Sequence, residues 1–135
     1  MPANQLTDTT GIYIMPIKKI MVVDDSPTER FFLQELLSKR GYNIVTAENG
    51  EDAVAKSAKE MPDLILMDVV MPGLNGFQAT RAISKAPETA HIPIFMCTTK
   101  DQETDKIWGV RQGAKDYLVK PINADELLEK IKALG

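Results

Sequence analysis

Short apolar runs alternate with amphipathic stretches along most of the chain. Five runs have the length and composition of strands, and each is followed by apolar residues that recur at helical spacing. Such alternation predicts a parallel sheet between two layers of helices. The predicted strands are 20–23, 43–47, 64–67, 94–97 and 116–119, and the predicted helices are roughly 27–40, 50–61, 77–85, 102–112 and 124–134.

The handedness of the connections limits the order of these strands. Right-handed crossovers permit few arrangements, and 2-1-3-4-5 is a common one for five parallel strands. The predicted fold class is therefore a doubly wound α/β sandwich of three layers. In this order the winding reverses between strands 1 and 3, and ligands bind beyond the carboxyl ends of the strands at such a point.

The start of helix 1 carries several local signals. Ser26 is expected to cap the helix, Pro27 to occupy its first position, and Glu29 to close a capping box. Phe31 and Phe32 are expected to contact the core.

Residues 1–16 lack the pattern of the rest. They contain no Lys or Arg and no long apolar run, so they do not resemble a signal peptide. We expect a flexible N-terminal extension over 1–16, followed by one domain over 17–135. Met15 is an alternative start of translation.

Composition narrows the class of protein. A chain of 135 residues with 44% hydrophobic content forms one domain with one core, and a net charge of -3 gives no footprint for nucleic acid or an anionic membrane. Its single cysteine, Cys97, excludes an internal disulfide and fits a reducing cytoplasm. Because Cys97 lies in an apolar run, a buried and unreactive thiol is expected. No stretch is long and apolar enough to cross a membrane.

Carboxylates follow two of the predicted strands. Asp24 and Asp25 come directly after strand 1, and Asp68 comes directly after strand 3. Three carboxylates at one edge repel one another and require a counter-cation. Oxygen ligands of this kind suit a hard divalent ion, and Mg²⁺ is the expected cofactor.

Two further side chains are expected at the same edge, Thr98 after strand 4 and Lys120 after strand 5. A metal, a hydroxyl group and an ammonium group around one carboxylate suit a phosphoryl group attached to it. Asp68 is the candidate nucleophile, and the cations would offset charge on the transferring oxygens.

These motifs resemble the receiver domain of two-component response regulators. The resemblance rests on Asp24-Asp25, on Asp68 within Asp-Val-Val-Met-Pro-Gly, on Thr98 and on the segment 116–121, and it covers about 17–134. It implies a flavodoxin-like, CheY-like sandwich. The segments 71–81 and 98–121 are most similar to PilH-type regulators of twitching motility.

The resemblance implies a role for each residue at the acidic edge. Asp68 would accept a phosphoryl group from a histidine kinase. Asp24, Asp25 and Asp68 would hold Mg²⁺ together with the backbone carbonyl of Val70.

The remaining roles concern the switch. Thr98 would move to bond the phosphoryl oxygen, and Tyr117 would turn inward behind it. Lys120 would pair with the phosphoryl group, next to a Lys-Pro bond that is usually cis in the family. The face formed by helix 4, strand 5 and helix 5 would bind a downstream protein. Gly109 should lower the stability of helix 4, because glycine has a low helix propensity.

Further expectations concern the whole protein. It would be a stand-alone cytoplasmic signalling protein, a monomer or a weak phosphorylation-dependent dimer, rather than an enzyme acting on other substrates. Self-dephosphorylation is expected to be slow, because Val70 cannot orient a water molecule and Thr99 crowds the site.

These residues fit some alternative functions poorly. A haloacid-dehalogenase-type phosphatase needs an acid where Val70 stands, and a flavin binder would not place Asp24 and Asp25 beside a phosphate. A phosphorylation-independent interaction module and a phosphate sink for a shared kinase both remain open. Trp108 is either a partner anchor or a packing residue.

Overall fold

The computed structural model describes residues 17–135 and, before them, the backbone pairing of two short segments. Leu6–Thr7 and Tyr13–Ile14 pair as antiparallel strands. The flexible extension predicted for 1–16 otherwise lies outside the described residues.

Ten elements of residues 17–135 build the domain. Five parallel strands form one sheet, and their order confirms the predicted order 2-1-3-4-5. The strands are β1 Lys19–Val23, β2 Asn43–Ala47, β3 Leu64–Met67, β4 Ile94–Thr98 and β5 Asp116–Val119. The helices are α1 Pro27–Ser38, α2 Gly50–Glu60, α3 Gly76–Lys85, α4 Glu103–Gln112 and α5 Ala124–Leu134.

The sheet is buried on both faces, and this explains why its central strands are continuous apolar runs. Alternate residues of β1 serve opposite layers. Ile20 belongs to the cluster that contains Leu37 of α1 and Leu127 of α5. Met21 belongs to the cluster that contains Ala53 of α2 and Ile83 of α3. The two helix layers therefore hold β1 and β3 rigidly where their carboxyl ends meet.

The prediction that Phe31 and Phe32 contact the core is wrong. Their exposed fractions are 63% and 47%, and the core positions of α1 are taken by Leu33 and Leu37. Leu33 and Leu37 are four residues apart, so they share one helix face, whereas Phe31 and Phe32 are rotated away from it. An exposed aromatic pair is therefore left on the outside of α1.

Only half of the predicted capping box forms at the start of α1. Ser26 accepts a hydrogen bond from the backbone N–H of Glu29 at 3.3 Å, with Pro27 at the first helical position. The Glu29 carboxylate instead lies 4.0 Å from the ammonium nitrogen of Lys120. Lys120 thus draws the Glu29 side chain toward the carboxyl edge of the sheet.

Two smaller expectations concern the cysteine and the absence of a membrane-spanning stretch. Cys97 is buried in β4, as predicted. Among the helices of the described part of the chain, none is long and apolar enough to cross a membrane.

Candidate functional site

The three predicted carboxylates meet at the carboxyl edge of the sheet. Asp24 and Asp25 follow β1, Asp68 follows β3, and these strands are direct neighbours. One carboxylate oxygen from each residue can be chosen so that all three lie within 4.8 Å of one another. Asp24 and Asp68 are buried, while Asp25 is exposed and opens the cluster to solvent.

The loop after β3 is shaped by a close approach of two backbones. A Cβ atom on Gly76, the first residue of α3, would overlap the carbonyl oxygen of Asp68. Only glycine allows α3 to begin so close to Asp68, because it has no side chain. This contact fixes the short turn that carries Asp68 and Val70.

Lys120 supplies the positive charge among the acidic groups. Its Nζ atom donates a hydrogen bond to Oδ2 of Asp24 at 2.6 Å and lies 3.8 Å from Oδ2 of Asp68. Burial disfavours the charged ammonium, but the bond to Asp24 and the charge of Asp68 outweigh it and raise the pKa of Lys120 above its ordinary value. Its peptide bond to Pro121 is cis, as the resemblance implied.

The Asp68 carboxyl is unusual in its acidity. Burial, and then the negative charge of Asp24, raise its pKa to about 6. Lys120 and the backbone N–H groups of Val69 and Val70 lower the pKa and so offset part of this effect. A buried carboxylate is costly to ionise and is poorly hydrated. Once a cation compensates its charge, it is a good candidate nucleophile.

Thr98 lies at the end of β4 and is fully buried. Its hydroxyl oxygen accepts a hydrogen bond from the backbone N–H of Lys100 at 3.3 Å. The side chain therefore links the end of the strand to the β4–α4 loop.

Tyr117 contacts the same loop from β5. Its hydroxyl donates a hydrogen bond to the carbonyl oxygen of Lys100 at 2.8 Å. Burial, followed by the charges of Asp105 and other acidic residues, raises its pKa to about 12, so the hydroxyl stays a donor. The ring occupies the space above Gly109, where an added Cβ atom would lie 3.2 Å from Cδ2 of Tyr117.

A shallow pocket lies between the loop after β3 and α4. Val70, Lys100 and Trp108 lie among its lining residues. Val70 is 54% exposed, so an apolar residue two positions after Asp68 is open to solvent at this pocket. Trp108, whose role the sequence left open, is 49% exposed at the edge of this pocket.

Two contacts at the site were not predicted. Glu29 approaches Lys120 from the first turn of α1, and Arg30 donates a hydrogen bond from Nη1 to the carbonyl oxygen of Asp24 at 2.7 Å. Their place directly after the acidic pair, within one helical turn, is the signal that could have pointed to both.

Comparisons with known proteins agree with this geometry. The sequence profile described as "Response regulator receiver domain" matches residues 20–132. Protein PilH of Pseudomonas aeruginosa is 57% identical over 116 residues, which cover 86% of this chain and 96% of PilH.

Two solved structures are similar to the whole domain. The chemotaxis protein CheY4 of Vibrio cholerae superposes with a TM-score of 0.82 at 34% identity, over 88% of this chain and 99% of CheY4. The receiver domain of the sensor histidine kinase PA1611 of Pseudomonas aeruginosa gives a TM-score of 0.80 at 29% identity, over 87% and 96%. That structure has a magnesium ion coordinated in its active site cleft. The fold, the acidic edge and these matches together show that the chain belongs to the response regulator receiver domain family, and that within it the chain is of the PilH type.

Proposed function

We propose that this chain is a phosphorylation-dependent switch in which Asp68 accepts a phosphoryl group from a histidine kinase. The observation that carries the proposal is the buried Asp68 carboxylate, which lies close both to the acidic pair after β1 and to the ammonium group of Lys120. A surface formed by α4, β5 and α5 would then change its affinity for a downstream protein.

The transfer is a displacement at phosphorus. An Oδ atom of Asp68 forms the new P–O bond while the P–N bond of a phosphohistidine breaks, and the donor imidazole leaves and takes up a proton. Lys120 lies 3.8 Å from Oδ2 of Asp68, close enough to pair with the transferred oxygens after a small movement. The backbone N–H groups of Val69 and Val70 face the same carboxylate and can hold it in place.

The residues present fit a Mg²⁺ ion. Asp24, Asp25 and Asp68 offer oxygen ligands close together, and the carbonyl of Val70 is the expected fourth protein ligand. Bound there, the ion would neutralise charge on the carboxylates and on the phosphoryl oxygens. One exposed ligand, Asp25, leaves an open path for the ion to enter.

The β4–α4 loop would carry the signal away from Asp68. Thr98 and Tyr117 both bond backbone atoms of Lys100, so movement of the Thr98 hydroxyl toward a phosphoryl oxygen would disturb the contacts of Tyr117. Exposed Ile107 and Val110 on α4 give the output surface apolar contact area.

Similarity to PilH supports a place in pilus motility or chemosensory signalling. Whether the chain transmits a signal there or drains phosphoryl groups from a shared kinase depends on its partners. We expect a cytoplasmic monomer, or a dimer that forms weakly after phosphorylation, and light scattering with and without a phosphodonor would distinguish these states.

Intact-protein mass spectrometry tests the proposal. The chain is incubated with acetyl phosphate, with Mg²⁺ or with excess EDTA, alongside Asp68→Asn and, as a matched control, the exposed loop residue change Asp101→Asn. We expect one phosphoryl-sized mass gain that requires Mg²⁺, disappears in Asp68→Asn and persists in Asp101→Asn. No gain from acetyl phosphate or from a phosphorylated kinase would instead support a phosphorylation-independent interaction module.

A further inference from the structure

Arg30 is a charged residue that the domain keeps largely away from solvent. It lies in the first half of α1, and its side chain is only 15% exposed. Burying a guanidinium group is costly unless hydrogen bonds compensate it.

The main contact of Arg30 is with the backbone of the acidic pair. Nη1 donates a hydrogen bond to the carbonyl oxygen of Asp24 at 2.7 Å. That oxygen belongs to the peptide group that joins Asp24 to Asp25. Holding it fixes the orientation of the peptide, and with it the directions in which both side chains leave the backbone.

Other bonds hold the same turn, but among residues 17–135 none of them reaches this carbonyl. The N–H of Asp24 donates to the carbonyl of Ala47 in β2 at 3.2 Å. Oδ1 of Asp24 accepts from the N–H of Ser26 at 2.9 Å. Asp25 follows the end of β1 and is exposed, so Arg30 is the contact that holds the peptide before it.

The second contact of Arg30 is weaker. Nη2 lies 3.7 Å from Oε1 of Glu48, whose side chain is 73% exposed. An ion pair so exposed contributes little free energy. Glu48 follows β2 directly, so it steadies the guanidinium from the neighbouring loop without determining its position.

We infer that Arg30 is a positioning residue for the metal ligands, which presents Asp24 and Asp25 to a divalent cation through their shared peptide group. The inference rests on the proposed Mg²⁺ site. It concerns affinity for the ion and not the transfer step, because Arg30 contacts a carbonyl of the acidic turn and Asp68 lies on another strand.

Isothermal titration of the full chain with MgCl₂ tests the inference. Arg30→Lys keeps the charge and loses the planar fork, while Arg30→Met loses both and keeps an unbranched stem. Arg40 is exposed and lies two residues after the end of α1, so Arg40→Met controls for the loss of one positive charge. Circular dichroism would verify that each variant is folded.

We expect both Arg30 variants to bind Mg²⁺ about tenfold or more weakly, as is usual when support for a metal ligand is removed, and Arg40→Met to bind like the wild type. Phosphorylation by acetyl phosphate at saturating Mg²⁺ should stay within about twofold of the wild-type rate, so that the defect lies in the concentration of Mg²⁺ required.

Opposite results would overturn the inference. If Arg30 acted only through its charge, Arg30→Met would bind Mg²⁺ more tightly than the wild type and Arg30→Lys would be unchanged. Wild-type affinity in both variants would also overturn it while leaving the Mg²⁺ site intact. A wild-type chain that binds no Mg²⁺ would overturn the proposed site and the inference together.

Discussion

Asp68 combines two properties that conflict, since it must be ionised to react and is buried where ionisation is costly. Its pKa of about 6 exceeds the ordinary value of 3.8. Between about pH 4 and pH 6, the folded chain therefore keeps a proton on Asp68 that the unfolded chain has already released. The neutral form favours folding below about pH 4, and this contribution is lost as the pH rises through 6.

Asp68→Asn should therefore stabilise the domain in the absence of Mg²⁺. The neutral amide removes the cost of a buried charge, and we expect a gain of about 1–3 kcal/mol at pH 8 that shrinks toward pH 4. Urea unfolding at several pH values, in EDTA, measures it. Asp101→Asn should change the free energy of unfolding by less than about 0.5 kcal/mol. A gain that is larger at pH 4 than at pH 8 would contradict the electrostatic explanation.

Val70 sets the expected lifetime of the phosphorylated state. Its half-exposed valine side chain lies beside Asp68 and offers no hydrogen bond to an attacking water, and the exposed Thr99 follows the buried Thr98. We expect loss of the phosphoryl group over minutes or longer, and Val70→Asn to accelerate it about tenfold by orienting water.

Timed mass spectra after removal of the donor measure this rate. Val110→Asn, a change of an exposed valine on α4, should leave the rate unchanged. A lifetime of seconds in the wild type would show that the apolar residue does not protect the phosphoryl group.

At the scale of elements, α4 contains a glycine that affects two properties at once. Gly109 lowers the helix propensity of α4, and it also leaves space for the ring of Tyr117. Gly109→Ala should gain up to about 1 kcal/mol from helix propensity, but its Cβ atom would press on the ring.

A double-mutant cycle separates the two effects. In a Tyr117→Ala background, Gly109→Ala should stabilise the domain by the full amount of about 1 kcal/mol, and in the wild type by clearly less. Denaturant unfolding of the four proteins gives the coupling free energy. A coupling of zero would mean that the ring does not depend on the space above Gly109.

We expect the exposed outer face of α1 to contact a protein phosphodonor. Phe31 and Phe32 line a groove along the helix, and Phe32 also lines a second groove with Pro121 and Ile122, directly after Lys120. Truncating both phenylalanines to alanine should slow phosphorylation by the kinase about tenfold or more. The rate with acetyl phosphate should not change, because the small donor needs no docking surface.

Parallel assays with the two donors measure this effect. Ile107→Ala, which removes an exposed apolar side chain from α4, is the matched control and should leave both rates unchanged. Equal slowing with both donors would point to damage at Asp68 instead of lost docking.

Helix α1 shows which structural feature hydrophobic periodicity does not predict. Periodicity located α1, its cap and its end, because these depend on neighbours within a few residues. It did not show which apolar residues face the core, because Phe31, Phe32, Leu33 and Leu37 offer more apolar surface than one helix face can bury. That choice is made by the fit of leucine side chains against β1 and α5.

At the scale of the molecule, the predicted strand order correctly placed three carboxylates at one edge of the sheet, those of Asp24, Asp25 and Asp68. This worked because parallel strands carry the residues that follow them to one edge. The bond between Lys120 and Asp24 joins residues 96 positions apart and depends on side-chain conformation, so no pattern in the sequence predicts it. The contact of Arg30 with the Asp24 carbonyl differs, because the two residues are only six positions apart, within reach of the first turn of α1.

Cys97 reports on the unfolding of the whole domain. It is buried in β4, and burial raises the pKa of its thiol from 9.0 to about 12. We expect a thiol reagent to label it only after global opening, so that the labelling free energy equals the free energy of unfolding. Because the folded pKa is the higher one, stability should decline as the pH rises above 9. Rapid labelling of the native protein at pH 8 would contradict this.

The pairing of Lys120 with Asp24 would make the site respond to two inputs together, phosphorylation and Mg²⁺. The resting partner of the lysine is also a proposed ligand of the cation, so Mg²⁺ and Lys120 compete for one carboxylate. A phosphoryl group on Asp68 would offer the lysine another anion and would free Asp24 for the ion. The phosphorylated protein should therefore bind Mg²⁺ more tightly than the unphosphorylated one. The chain would report the coincidence of kinase activity and available magnesium, and would stay silent when either one is missing.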